Sequence, residues 1–283
     1  SDVCSSDLRQ GHRGEGEAGM SDRVEQITDW DDAYANVAHI PGGEGFAPRW
    51  EGEAEAFRAG HPPEAVGRGE LYLPAGTPRG LAVFIHGGYW QALDEGWFSY
   101  VAPPLLGHGV SVAIVTYDLA PLVSLDRIVE QMRVAAEVVA ARAGALPVAT
   151  GHSAGGHLSA CLLSEGRARA AVAISGVFEL APLIPTSINA ALRLDAFEAR
   201  RLSPAEWPAP AGAVLDCVVG GDESAEFLRQ SRDMAERWGR HGARTRFDPL
   251  PGLNHFTVLD PLFDANSTLV RRIAELAHSP IVT

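Results

Sequence analysis

Residues 147–158 read Pro147-Val148-Ala149-Thr150-Gly151-His152-Ser153-Ala154-Gly155-Gly156-His157-Leu158, an apolar run that ends in a serine between glycines. The first half has the composition of a short buried strand, and a helical pattern runs from Ala154 to Leu163. Between them, Gly151-His152-Ser153-Ala154-Gly155 fits G-x-S-x-G. A serine on so tight a strand-to-helix turn projects its hydroxyl at the sheet edge, and the flanking glycines remove side chains that would clash there. The N-terminus of the following helix also brings positive dipole close to the serine. As a bare pentapeptide the pattern is weakly informative; the strand before it and the helix after it give it weight.

Outward from this turn, strand-like and helix-like runs alternate. Residues 81–86 (LAVFIH), 110–117 (VSVAIVTY), 170–175, 214–220 and 245–250 read as strands. Residues 125–143 read as a long helix, with Ile128, Met132, Ala135, Val138 and Val139 at helical spacing, and further helices are expected over 224–241 and 266–277. Such alternation predicts a mostly parallel sheet covered by helices on both faces, with no internal repeat. A Pro-rich amphipathic insertion at 177–210 is expected to cap the strand C-termini, where open α/β sheets bind ligands. Ahead of the first strand, a polar and aromatic segment with Trp30, Tyr34, Trp50 and Phe57 predicts one or two helices outside the core.

Two further segments complete a chemistry around Ser153. His86-Gly87-Gly88-Tyr89-Trp90 follows a strand, so the backbone N–H groups of Gly87, Gly88 and Ala154 are candidates to hold a tetrahedral oxyanion. In chains with this elbow the partners follow in the order acid, then histidine. Among ten histidines, only His255, in a loop after the last strand, has the right place to take the proton from Ser153 and return it to the leaving group. His86 and His152 are expected to brace the oxyanion loop and the elbow, His157 lies on the following helix, and His108, His241 and His278 read as solvated helix ends. The strand at 214–219 runs into Asp222 and Glu223, two adjacent carboxylates between which spacing does not choose.

Composition narrows the alternatives. The 283 residues carry a net charge of −13, which argues against a nucleic-acid binder. Every basic residue is Arg; without Lys, Schiff-base chemistry and a Gly-Lys-Ser/Thr phosphate loop are excluded. Cys4, Cys161 and Cys217 are widely spaced and suggest neither a disulfide framework nor zinc. No apolar run is long enough to span a membrane and no secretory segment is apparent, so a cytoplasmic protein without membrane partners is expected. Residues 1–19 are polar and Gly-rich, and residues 2–8 resemble the conceptual translation of a sequencing adapter; this tail is read as disordered or artefactual, with Met20 as the start. One folded domain, 20–283, is expected.

Together these motifs resemble the kynurenine formamidase (arylformamidase) branch of the α/β-hydrolases. His86 to Trp90 is similar to that branch's HGGxW oxyanion motif, and Gly151 to Leu158 to its GHSAG-type elbow. The run from Tyr117 to Pro121 with Leu125, Ile128 and Gln131, the segment from Glu223 to Ser231, and His255-Phe256 also look like family segments. The resemblance covers residue 81 onward and implies an α/β-hydrolase fold with a small cap. In the family the acid stands six residues before an Arg-Gln pair, which lands on Glu223 in place of the usual Asp.

The implied activity is hydrolysis of a small acyl amide, N-formylkynurenine to kynurenine and formate, with no metal or organic cofactor. A short-chain carboxylesterase is the alternative, since HGG and Y-x-L-A-P recur there. A hydrolase-fold protein that binds a ligand without turnover is the alternative from another class, distinguished by whether Ser153 reacts with a fluorophosphonate. Tyr89 and Trp90 are candidate substrate contacts; Trp97, Phe178, Leu183 and Asn189 are candidates for an aryl pocket or, equally, for packing.

Overall fold

The computed structural model describes residues 27–278, so the expectations for residues 1–19, for Met20 as the start and for Cys4 lie outside the described residues. The described chain opens with three helices, α1 (Trp30–Tyr34), α2 (Asn36–His39) and α3 (Phe46–Gly60). Strands β1 (Glu64–Ala65), β2 (Gly69–Tyr72) and β3 (Gly80–Ile85) follow, then α4 (Ala102–Gly107), β4 (Val110–Val115) and α5 (Leu125–Ala143). The elbow region is β5 (Val148–His152) and α6 (Ala154–Ser164), followed by β6 (Ala170–Ile174). Short helices α7 (Asn189–Leu192) and α8 (Ala196–Arg201) fill the Pro-rich insertion before β7 (Val214–Gly220), α9 (Ala225–Arg240), β8 (Arg244–Leu250) and α10 (Thr268–His278).

The eight strands form one sheet in the order β1-β2-β4-β3-β5-β6-β7-β8. From β4 to β8 the neighbours are parallel; β1 and β2 form an antiparallel flank that the sequence pattern did not reveal. β1 is only two residues long, and β2 carries half-buried Gly69 and Glu70, so neither shows an apolar run. β4, β5 and β6 are buried at every position, as a parallel sheet covered on both faces requires.

Alternation along β3 feeds two cores. Leu81, Val83 and Ile85 join α5, α6 and α9 on one face, through Ile128, Met132, Leu158 and Trp238. Ala82 and Phe84 join α3, α4 and α10 on the other, through Trp50, Leu105 and Ile273. Burying a side chain such as Phe84 contributes about 1.5–3 kcal/mol. α5 starts where the Ser124 hydroxyl accepts from the Arg127 N–H at 3.3 Å and stops at Gly144 in the left-handed conformation. Of its five expected core positions, Val138 is exposed and the other four are buried.

Two features place the site. Chain order leaves β3 toward β4 on one side and arrives at β5 on the other, with Ile85 opposite Gly151, so a crevice opens beyond the ends of β3 and β5. The N-terminal helices do not lie outside the core: Tyr34 and Trp50 are buried members of the two cores, and α1–α3 cover that crevice.

Candidate active site

The turn from β5 into α6 holds Ser153 at φ +55°, ψ −114°, a strained conformation that costs on the order of 1–3 kcal/mol and persists only where the surroundings enforce it. Its N–H donates to the Ile174 carbonyl at 2.8 Å, tying the elbow to the end of β6. Helix α6 sits so close to β3 that a Cβ on Gly155 would lie 1.9 Å from the Ile85 oxygen, and one on Gly151 would lie 2.4 Å from the Gly155 oxygen. The glycines of the motif are therefore steric necessities, and Ser153 is 2% exposed at the floor of a cavity.

His255 comes from the loop after β8 and is 3% exposed. Its Nδ1 lies 2.6 Å from Oε2 of Glu223, whose side chain is fully buried at the end of β7. The other oxygen of that carboxylate accepts from the Ser175 hydroxyl at 2.5 Å and from the Gly220 N–H at 2.6 Å. Both oxygens of this buried anion are thus compensated, and Nδ1–H as donor leaves Nε2 of His255 with its lone pair. Asp222, its neighbour, is exposed, and only its backbone N–H reaches the histidine loop, at the Leu253 carbonyl. Glu223 and not Asp222 is the carboxylate brought to His255.

His152 donates from Nε2 to the His255 carbonyl at 2.8 Å, and burial holds its imidazole neutral, far below the usual range. His86 is buried with Nδ1 2.8 Å from the Gly87 carbonyl and its ring stacked on Tyr117 at 4.3 Å; burial lowers its pKa to about 4. The Tyr117 hydroxyl donates to the carbonyls of His86 and Gly87, so the glycine loop is held from two sides. A Cβ on Gly87 would lie 3.2 Å from the Ser153 Cβ, which sets this loop directly against the serine. The N–H groups of Gly87, Gly88 and Ala154 find no acceptor among the described residues. Gly88, at φ +95°, admits no side chain, because its Cβ would meet the Ala92 oxygen at 2.3 Å.

The cavity above Ser153 has a volume of about 470 Å³ and an apolar wall that includes Phe46, Trp50, Leu93 and Phe256. Most of that wall comes from residues 34–50, which the sequence pattern did not mark as functional. Tyr89 lines the cavity with its ring, but its hydroxyl is engaged: it donates to the Tyr34 carbonyl at 2.8 Å and accepts from Asn36 at 2.9 Å. Trp90, expected as a substrate contact, is fully buried and packs edge-on against His157 at 5.2 Å, outside the cavity. Trp97, Phe178, Leu183 and Asn189 do not line it either. Phe178 and Leu183 are core residues, and the Asn189 amide is taken up by the backbone of Ile184 and Leu194.

A second cavity, of about 480 Å³ and of mixed lining, is bordered by α1 and α2 and by Asp32, His39, Asp222, Ser224 and Asn254. Asn36 and His255 are the two residues common to both. Of the remaining histidines, His241 is exposed as expected, whereas His108 and His278 are half-buried; His108 Nε2 bonds to the Ala265 carbonyl at 2.7 Å. Cys161 and Cys217 are buried free thiols. No described helix is long and apolar enough to cross a membrane.

Comparison with known proteins agrees with the fold. A family model described as the alpha/beta hydrolase family matches residues 82–281. A kynurenine formamidase from Salmo salar is 29% identical over 235 residues, covering 76% of this chain and 80% of the relative. One from Danio rerio is 28% identical over 224 residues, covering 73% and 76%. Among solved structures, a Silicibacter sp. TM1040 protein whose thioesterase assignment is provisional is 37% identical, with a TM-score of 0.79 over 87% of this chain and 98% of that one.

Proposed function

Because this chain belongs to the alpha/beta hydrolase family and is a hydrolase of small molecules, we propose that it cleaves an aryl formamide, N-formylkynurenine, to kynurenine and formate. The observation that carries the mechanism is the buried 2.6 Å contact of His255 with Glu223 beside the strained Ser153. Ser153 Oγ attacks the formyl carbonyl while Nε2 of His255 takes its proton. The oxygen that gains charge is held by the N–H groups of Gly87, Gly88 and Ala154, each such donor being worth about 10²–10³ in turnover. His255 then gives its proton to the amine nitrogen as the C–N bond breaks. Water adds to the formyl-serine, its proton passing to His255, and formate leaves as Ser153 regains its hydrogen. Glu223 holds the imidazole in the Nδ1–H tautomer and stabilises the imidazolium that forms.

A short-chain carboxylesterase is the second reading, favoured by the apolar wall of the cavity, which suits an acyl or aryl ester as well as a formanilide. Hydrolysis of N-formyl-L-kynurenine against p-nitrophenyl acetate, in the wild type and in Ser153→Ala, separates them. A higher kcat/KM on the formamide, lost in the variant, is the expected result. Turnover of the activated ester alone supports the second reading, and a variant as active as the wild type removes Ser153 from the mechanism.

A further inference from the structure

Asn36 and His255 line both cavities, so an amide side chain borders the same space as the candidate proton shuttle. Its orientation is determined by its neighbour. The Tyr89 hydroxyl has one proton, and that proton goes to the Tyr34 carbonyl, so the oxygen must accept from Asn36. Nδ2 of Asn36 therefore faces Tyr89, and Oδ1, the acceptor end, has no partner among the described residues. The ring of Tyr89 is itself fixed in the oxyanion loop at φ +49°.

An amide and an ester differ at one atom in the collapse of the tetrahedral intermediate. The leaving nitrogen must turn its lone pair toward His255 to receive the proton, and its N–H hydrogen is then directed elsewhere. An ester oxygen carries no such hydrogen. We propose that Oδ1 of Asn36, oriented by Tyr89, accepts the N–H of the leaving amine and so selects amides over esters. Asn36 in this assignment is a specificity-determining residue; the bonds made and broken remain those at Ser153 and His255. The inference rests on the amide reading of the site.

Formanilide and phenyl formate differ only in NH against O at the scissile bond, and the ratio of their kcat/KM values tests the assignment. Loss of one hydrogen bond made in the transition state predicts that Asn36→Ala lowers the amide-to-ester ratio about tenfold. Asn36→Asp, which keeps an acceptor oxygen, is expected to restore the ratio to within about threefold of wild type. Tyr89→Phe, which frees the amide to rotate, lowers the ratio in the same direction and serves if Asn36→Ala does not fold. An unchanged ratio in Asn36→Ala, or Asn36→Asp as poor as Asn36→Ala, overturns the role of Asn36 while leaving the amidase reading intact. Failure of the wild type to cleave formanilide or N-formylkynurenine overturns the amidase reading and the inference with it.

Discussion

The phenol of Tyr34 donates a buried 2.9 Å hydrogen bond to Glu226, 192 residues further along the chain. Glu226 is fully buried, and its carboxylate is also held by Arg229 at 2.8 Å and by Gln230 at 2.8 Å. Beside it the Ser224 hydroxyl, at the N-cap of α9, donates to the Ala33 carbonyl at 2.8 Å instead of capping its own helix. The short helix α1 is thereby anchored to the element that follows Glu223. Removing the phenol hydroxyl leaves Glu226 with two of its three partners, so Tyr34→Phe is expected to cost about 1.5–3 kcal/mol, the range for hydrogen bonds to a charged group. Urea unfolding measures it; a midpoint equal to wild type would show that this bond does not hold α1 in place.

Glu223 and Asp222 are separable by substitution. Glu223→Gln keeps the size of the side chain but removes the charge that holds the His255 tautomer, and kcat is expected to fall about 10³–10⁴-fold. Asp222→Asn, on an exposed side chain, is expected to change kcat/KM by less than about threefold. Steady-state kinetics on the activated ester decide it, and the opposite order of effects would transfer the acid to Asp222.

The elbow admits no methyl group at Gly155. A Cβ there would lie 1.9 Å from the Ile85 oxygen and 2.8 Å from the His86 oxygen, both backbone atoms that cannot swing aside. Gly155→Ala is expected to lose about 3 kcal/mol or more, or to yield no soluble protein. A variant with the wild-type urea midpoint would mean that α6 approaches β3 less closely than described.

Acid should weaken the fold earlier than its carboxylates alone would. His86 and His157 titrate near 4 because burial disfavours the imidazolium, and burial takes His152 well below its ordinary value. Each binds a proton more readily in the unfolded chain, so stability is fully present above about pH 6.5 and declines as the pH falls toward 4. The slope per histidine is at most about 1.4 kcal/mol per pH unit. Urea titrations at pH 7, 6 and 5 should show the decline, and His157→Leu should flatten it; a midpoint constant over that window would contradict a neutral buried trio.

How far the chain could be read without its structure follows from where its signal is periodic. Strands β3 and β6 are continuous apolar runs, β4 and β7 carry one polar residue each, and α5 has long helical spacing, so most of the sheet and its helices are visible along the sequence. The elbow is visible for a different reason, since its glycines answer to contacts that no side chain can share. The roof is visible only as helices set outside the core: α1 and α2 are five and four residues long, too short for a 3.6-residue period to show which face turns inward. Trp90 misled because a motif position says nothing about direction. With both Tyr89 and Trp90 at positive φ, the first ring faces the cavity and the second is buried against His157. Spacing does not choose between Glu223 and Asp222; the family resemblance points to Glu223, and the packed β7 terminus is where that side chain turns inward to Ser175 and Gly220.

The wall of the cavity above Ser153 is built largely from residues 34–50, whereas Ser153, Glu223 and His255 all fall within residues 82–281. The part of the chain proposed to meet a substrate's shape thus lies largely apart from the part proposed to break its bond. Drift at cavity-lining positions of the leading helices that are not core members would retune which molecules enter while leaving the sheet and its elbow untouched. Several contacts restrain that drift, among them the Tyr34–Glu226, Ser224–Ala33, Tyr89–Tyr34, Asn36–Tyr89 and Ser187–Asp31 bonds. An exchange of the leading segment that preserves these bonds and the buried Tyr34 and Trp50 is a route by which one catalytic frame could serve a series of different substrates.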